Sequence, residues 1–201
     1  MISSEFRTKM TDWMVEVCSS FNCAPRTYFL AVTIFDKYLI GCRRNNIVCE
    51  DSDVHLLGVT SIYLASKYED VMPLHSRVVA EKIAHNAIEP KTITAKELEF
   101  LRMFEFQMDF ATPFDFWQTY MDKLEKQALH NLKCGSCGDI TVERAKLLLG
   151  KISAQCYLTV MKAMQCRDFM QYSGSSLVAA ALYASTAFLK HSQSFGGKQT
   201  S

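Results

Sequence analysis

From Leu56 to Asp70 the chain carries one nearly unbroken apolar run, Leu56-Leu57-Gly58-Val59-Thr60-Ser61-Ile62-Tyr63-Leu64-Ala65-Ser66, followed by Lys67-Tyr68-Glu69-Asp70. The run is longer than a strand usually extends and lacks the two-residue alternation of a half-buried sheet, so it predicts a helix buried on nearly all sides. A helix in that position has no use for charge at its end unless the end reaches a surface. Lys67 can lay its methylenes along apolar neighbours and present its ammonium at the edge. The pattern predicts the central helix of an all-α domain, with a charged end turned outward.

The remaining apolar positions recur at helical spacing around that centre. Phe6, Met10, Trp13, Met14, Val17 and Phe21 form one stripe on a first helix from about Ser4 to Phe21. Asn22 to Pro25 breaks it and starts a second helix, proline being tolerated in a first turn. That helix is expected to stop near Ile40, with Gly41 as its C-terminal cap. Asp51-Ser52-Asp53 offers N-caps for the central helix, and Pro73 follows its end. A shorter helix is expected near His75 to His85, and a fifth starting between Pro90 and Thr94. Residues 130–139 read as a linker, helix resumes near Ile140, and the Ser-, Gly- and Gln-rich tail from Ser192 is expected to be disordered.

Composition narrows the classes of function. With 22 basic and 21 acidic side chains, the chain has no global field to hold a polyanion, and nucleic acid is not an expected partner. No apolar stretch reaches the roughly 18 residues that span a bilayer, so no membrane association is expected either. Eight cysteines without a secretory pattern fit reduced thiols in the nucleus, the cytoplasm or both. Cys134-Gly135-Ser136-Cys137, with His130 just before it, has ligand-like spacing, but a structural zinc site normally needs four ligands and no second such pair exists. No metal and no cofactor are expected, and this pair is read as an exposed, glycine-broken loop. No phosphate-cradling glycine loop, nucleophile motif or metal-spaced histidine pair is present, and the chain is read as a non-enzyme.

Four stretches in order resemble the cyclin box. Arg7-Thr8-Lys9-Met10-Thr11-Asp12-Trp13-Met14-Val15-Glu16-Val17 resembles its opening helix, and Ala31-Val32-Thr33-Ile34-Phe35-Asp36-Lys37-Tyr38-Leu39 its second. The apolar run with its Leu64-Ala65-Ser66-Lys67-Tyr68-Glu69-Asp70 ending resembles the central helix. Lys96-Glu97-Leu98-Glu99-Phe100-Leu101, continuing to Asp109-Phe110-Ala111-Thr112-Pro113, resembles the closing one. Ser175-Ser176-Leu177-Val178-Ala179-Ala180-Ala181-Leu182-Tyr183 resembles a helix of the second box, with Gly174 before it where the family usually has proline. The resemblance implies an all-α cyclin fold: one complete five-helix box over 1–130 and a shortened second box over 131–201.

Residue roles follow from that resemblance. Arg7 and Asp36 match a buried salt bridge between the first two helices; without it they are two charges snorkelling separately. Lys67 and Glu97 match the residues that reach the kinase partner's regulatory helix. On its own sequence Lys67 is also an ordinary C-terminal lysine favoured by the helix dipole. Thr94-Ala95-Lys96-Glu97 also fits a capping box, with Ile93 and Leu98 as its hydrophobic staple, if the helix starts late. Phe6, Met10, Trp13 and Glu16, with Val54 and His55, match the recruitment patch that binds short Arg-x-Leu motifs of substrates and inhibitors. The competing reading is a buried stripe. Lys9 stands where the family usually has an aliphatic residue and His55 where it often has glutamine. The resemblance implies a regulatory subunit that binds and activates a cyclin-dependent serine/threonine protein kinase and helps recruit its substrates in cell-cycle control. Two alternatives are a cyclin-fold scaffold that does not activate a kinase, and a cyclin-fold transcription adaptor.

Overall fold

A computed structural model describes residues 3–134 and 141–196. The helices are α1 (Ser4–Ser20), α2 (Pro25–Arg44), α3 (Val54–Glu69), a short α4 (Ser76–Val78) running into a π-helical turn (Val79–Ile83), α5 (Pro90–Met103), α6 (Pro113–Lys133), α7 (Val142–Gln165) and α8 (Gly174–Gly196). Strands are absent from the described residues. Two compact units result: residues 1–112 with 164–167, and residues 113–163 with 168–201.

In the first unit α3 is the centre, as its composition demands. Val54 and every residue from Leu57 to Ser66 are buried; α3 packs on α2, α5 and α1, whose buried side chains include Phe29, Leu30, Ile34, Phe35, Met14, Ile93 and Phe100. The polar side chains of that helix are satisfied internally: Thr60 and Ser61 hydroxyls donate to the Leu56 and Leu57 carbonyls at 2.7 and 2.8 Å. Such back-bonding lets hydroxyls sit in a core without an orphaned donor.

Two glycines mark where helices come close. Gly41 does not cap α2, which continues to Arg44; a Cβ there would lie 2.7 Å from the Met103 sulfur, so its small size admits α5. Gly58 lies under α1, where a Cβ would fall 2.1 Å from Met10 Sδ and 2.9 Å from its Cγ. Alanine exceeds glycine in helix propensity by up to about 1 kcal/mol, but overpacking a dense core typically costs about 1–3 kcal/mol. Gly58→Ala should therefore destabilise the protein in urea unfolding, and Met10→Ala should relieve much of that penalty. A Gly58→Ala variant more stable than the parent would contradict this packing.

The second unit packs α6, α7 up to residue 163, and α8. Trp117 Nε1 donates to the Ser153 carbonyl at 3.2 Å, its ring meets Tyr157 at 5.4 Å, and Cys156 is buried with Val178. Ser173 caps α8, its hydroxyl accepting the Ser176 N–H at 3.2 Å. By contacts the units meet at 112/113, where Pro113 opens a helix that continues to Lys133. Two expectations need correction here. The linker expected from residue 130 is helical through Lys133, and Cys134 is exposed at its end, while Cys137 lies outside the described residues. Helix α8 runs to Gly196, past the expected disorder at Ser192.

Candidate functional site

The charged end of α3 is where the sequence and the fold converge. Its last residues are held in place from below. Asp70 Oδ1 accepts the Ala24 N–H at 2.8 Å and the Thr27 hydroxyl at 2.6 Å, tying the end of α3 to the first turn of α2. Ser66 Oγ accepts the Leu74 N–H at 2.9 Å and orients the segment that follows. Arg26 pairs with Glu69 at 3.3 Å.

On this platform Lys67 Nζ lies 2.6 Å from Glu97 Oε1, and 5.0 Å from the centre of the Tyr63 ring. The two charges are not equally placed: the Lys67 side chain is 44% exposed and that of Glu97 is 9% exposed. Burial works against the Lys67 ammonium, but the hydrogen bond and charge of Glu97, helped by Tyr63, outweigh it and hold the group above its ordinary pKa. Beside the pair, Tyr68, Val71 and Met72 are 54%, 99% and 87% exposed. Helix α5 begins at Pro90 with Glu89 as its N-cap, so Glu97 lies about two turns inside the helix and no capping box forms at Thr94, whose hydroxyl donates to the Pro90 carbonyl at 3.0 Å.

Arg7 lies within α1, buried, and its guanidinium makes a fork on Asp36: Nε to Oδ1 and Nη2 to Oδ2, both 2.8 Å. Its remaining donors reach the Met164 carbonyl at 2.9 Å and the Gln165 carbonyl at 3.2 Å. Burial alone penalises the Asp36 carboxylate, and the bidentate Arg7 opposes that. A guanidinium offers five donors in one plane, so one side chain can satisfy a carboxylate and two helix-end carbonyls together.

The six residues of the expected docking patch separate. Phe6, half-buried Trp13, Glu16 and half-buried His55 share the outer side of α1 and the start of α3, with Trp13 edge-on to His55 at 5.6 Å. Burial, then the charge of His85, holds His55 below its ordinary pKa. Met10 and Val54 are core residues, 8% and 4% exposed, and do not stand on that outer side. The reason is helical phase: Arg7, Met10, Met14 and Val17 step along the inner face, while Phe6, Lys9, Trp13 and Glu16 step along the outer one. Lys9 lies on the outer face, 5.9 Å over the Phe6 ring, and pairs with Glu5 at 2.6 Å.

The fold, a helical unit around the buried α3, is that of the cyclins. The viral cyclin of herpesvirus saimiri superposes on 92% of this chain and 70% of its own with a TM-score of 0.70 at 17% identity. The chain belongs to the cyclin family: residues 1–109 match the family described as "Cyclin, N-terminal domain". It is 29% identical over 182 residues to the G2/mitotic-specific cyclin cdc13 of Schizosaccharomyces pombe, covering 85% of this chain and 36% of that protein. It is 29% identical over 129 residues to the G1/S-specific cyclin-D2 of Rattus norvegicus, covering 63% of this chain and 42% of that one. The chain thus spans well under half the length of these relatives. Among the described residues no group of three or more His, Cys, Asp or Glu could hold a metal, and no helix is long and apolar enough to cross a membrane.

Proposed function

We propose that this chain binds a cyclin-dependent serine/threonine protein kinase through the end of α3 and the adjoining face of α5, and activates it. The observation that carries this reading is the cluster of Lys67 seated on a buried Glu97 beside the exposed Tyr68, Val71 and Met72. Large apolar side chains gathered in water around a fixed charge have the make-up of an interface core with its polar anchor. The chemistry belongs to the kinase. Phosphoryl transfer there needs an ion pair between a strand lysine and a glutamate of the regulatory helix, which that helix must swing in to complete. A rigid helical surface that binds only the swung-in arrangement shifts the kinase toward it by its differential affinity. An interface able to do this buries on the order of 2,000 Å² or more. A second part of the reading assigns Phe6, Trp13, Glu16 and His55 to short Arg-x-Leu segments of substrates, an acid at the edge of an aromatic surface suiting a basic, extended peptide.

The test is capture of the full chain from its native cell extract, followed by a histone-kinase assay on the captured complex. Co-purified kinase with histone phosphorylation supports the reading. A captured kinase that stays silent points to the scaffold, and capture of transcription factors without a kinase points to the adaptor.

A further inference from the structure

Four of the eight cysteines meet in two pairs, each joining the last turn of a helix to the loop behind it. Cys18 of α1 is hydrogen-bonded to Cys23, and Cys42 of α2 to Cys49, thiol to thiol. The first pair follows from how α1 ends. Asn22 takes a left-handed φ of 51° and turns the chain back over the helix. The Cys23 N–H then donates to the Cys18 carbonyl at 2.9 Å, and the Asn22 N–H to the Ser19 carbonyl at 3.2 Å. A helix cap with these two bonds sets its first and sixth side chains against each other, usually as an apolar contact. Here both are thiols. A backbone hydrogen bond between two residues also keeps their Cα atoms close, as a disulfide's span of roughly 4.4–6.8 Å requires.

The two thiols are not equivalent. Cys18 is 6% exposed, whereas Cys23 is half-buried in the loop. The bond to Cys23, and after it burial, holds the Cys18 thiol above its ordinary pKa, so Cys18 keeps its proton. The same bond holds Cys23 below its own, against burial and the charge of Asp70. Asp70 is the carboxylate that ties the end of α3 to Ala24 and Thr27, so the pair lies where the ends of α1 and α3 meet the start of α2. A reachable sulfur favoured as thiolate, backed by a protonated thiol, is the arrangement of a redox-active pair. The second pair lacks that asymmetry: burial, then Cys42, pushes its outer thiol, Cys49, up to about 12.

We infer that Cys18 and Cys23 form a reversible disulfide when the folded chain meets a hydroperoxide. The Cys23 thiolate attacks the peroxide, the O–O bond breaks, and the product is a sulfenic acid on Cys23 and an alcohol. The Cys18 sulfur then displaces the sulfenic hydroxyl, which leaves as water with the Cys18 proton. Two thiols lose two electrons and two protons, and the peroxide gains them. Reduction by a dithiol reverses the bond through a mixed disulfide. The inference does not depend on kinase binding.

The test treats the reduced full chain with one equivalent of tert-butyl hydroperoxide, then alkylates with iodoacetamide and digests with trypsin. Lys9 and Arg26 bracket both residues, so they fall in one peptide over 10–26. That peptide should return unalkylated and two hydrogens lighter, and dithiothreitol before alkylation should restore both thiols. Cys42 and Cys49 should stay alkylatable at this dose. Cys18→Ala should stop the reaction at a Cys23 sulfenic acid that dimedone captures. Cys23→Ser should leave Cys18 a thiol; it alters only a half-buried side chain, so it tests the site even where loss of the buried Cys18 thiol unfolds the chain. Three results would overturn the inference: both thiols of the 10–26 peptide still alkylated after peroxide, a Cys42–Cys49 bond formed ahead of Cys18–Cys23, or a Cys18–Cys23 bond that forms in urea but not in the folded chain.

Discussion

Replacing Arg7 with alanine should lower the melting temperature by roughly 6–20 °C, taking about 3–5 kcal/mol for a broken buried pair and about 2–4 °C per kcal/mol at this chain length. Such a loss rivals the whole stability of many domains, about 5–15 kcal/mol. The size follows from what is left behind. Asp36, 18% exposed at its side chain, would lose its fork while burial pushes its carboxyl further up, and the Met164 and Gln165 carbonyls would lose their donors. Solvent screening is weak here because the Arg7 side chain is only 5% exposed. The double variant Arg7→Met with Asp36→Leu should recover much of the loss, since an apolar pair of similar volume removes the desolvation penalty along with the attraction. Calorimetry on the three variants checks this. Equal melting temperatures for Arg7→Ala and the parent would show that the fork contributes little.

The second large effect concerns Lys67. Lys67→Ala should weaken kinase binding at least about tenfold, because breaking a desolvated charged contact costs roughly 2–5 kcal/mol. It should also cost stability, since the buried Glu97 loses its cation and an unsatisfied buried acceptor typically costs about 1–3 kcal/mol. The two effects separate in the double variant Lys67→Met with Glu97→Leu. There the stranded carboxylate is gone, so the melting temperature should return toward the parent's while kinase binding stays weak. Surface plasmon resonance beside a thermal melt reads both. Kinase affinity that recovers together with stability would mean that the pair serves the fold alone.

How much of this was legible beforehand depended on what residue type can encode. The Leu56–Ser66 run could only be buried, because no exposed helix or half-buried strand tolerates so little polarity. The inner and outer faces of α1 were not separable by hydrophobicity, since Phe6, Met10 and Trp13 are all apolar and only the neighbours decide which points inward. Gly41 reads the same in sequence whether it caps a helix or admits Met103, and the tertiary contact chose the second. At α5, Pro90 prevailed over the Thr94–Glu97 capping pattern because its fixed backbone angle suits a first turn that needs no N–H. The pairing of Lys67 with Glu97 is a meeting of residues 30 positions apart, which no local pattern specifies and which only the family resemblance brought into view. The acceptors of Arg7 at Met164 and Gln165 are main-chain carbonyls, and a carbonyl has no letter in the sequence.

The first unit is discontinuous: residues 164–167 belong to it although they follow most of the second in the chain. Its modularity is therefore spatial and not linear. A truncation after Thr112, the natural cut for a minimal fragment, removes the carbonyls that Arg7 holds and leaves two donors facing a vacancy. Dissecting this protein into halves would require restoring that short stretch in trans, or grafting it, before either half could be judged on its own.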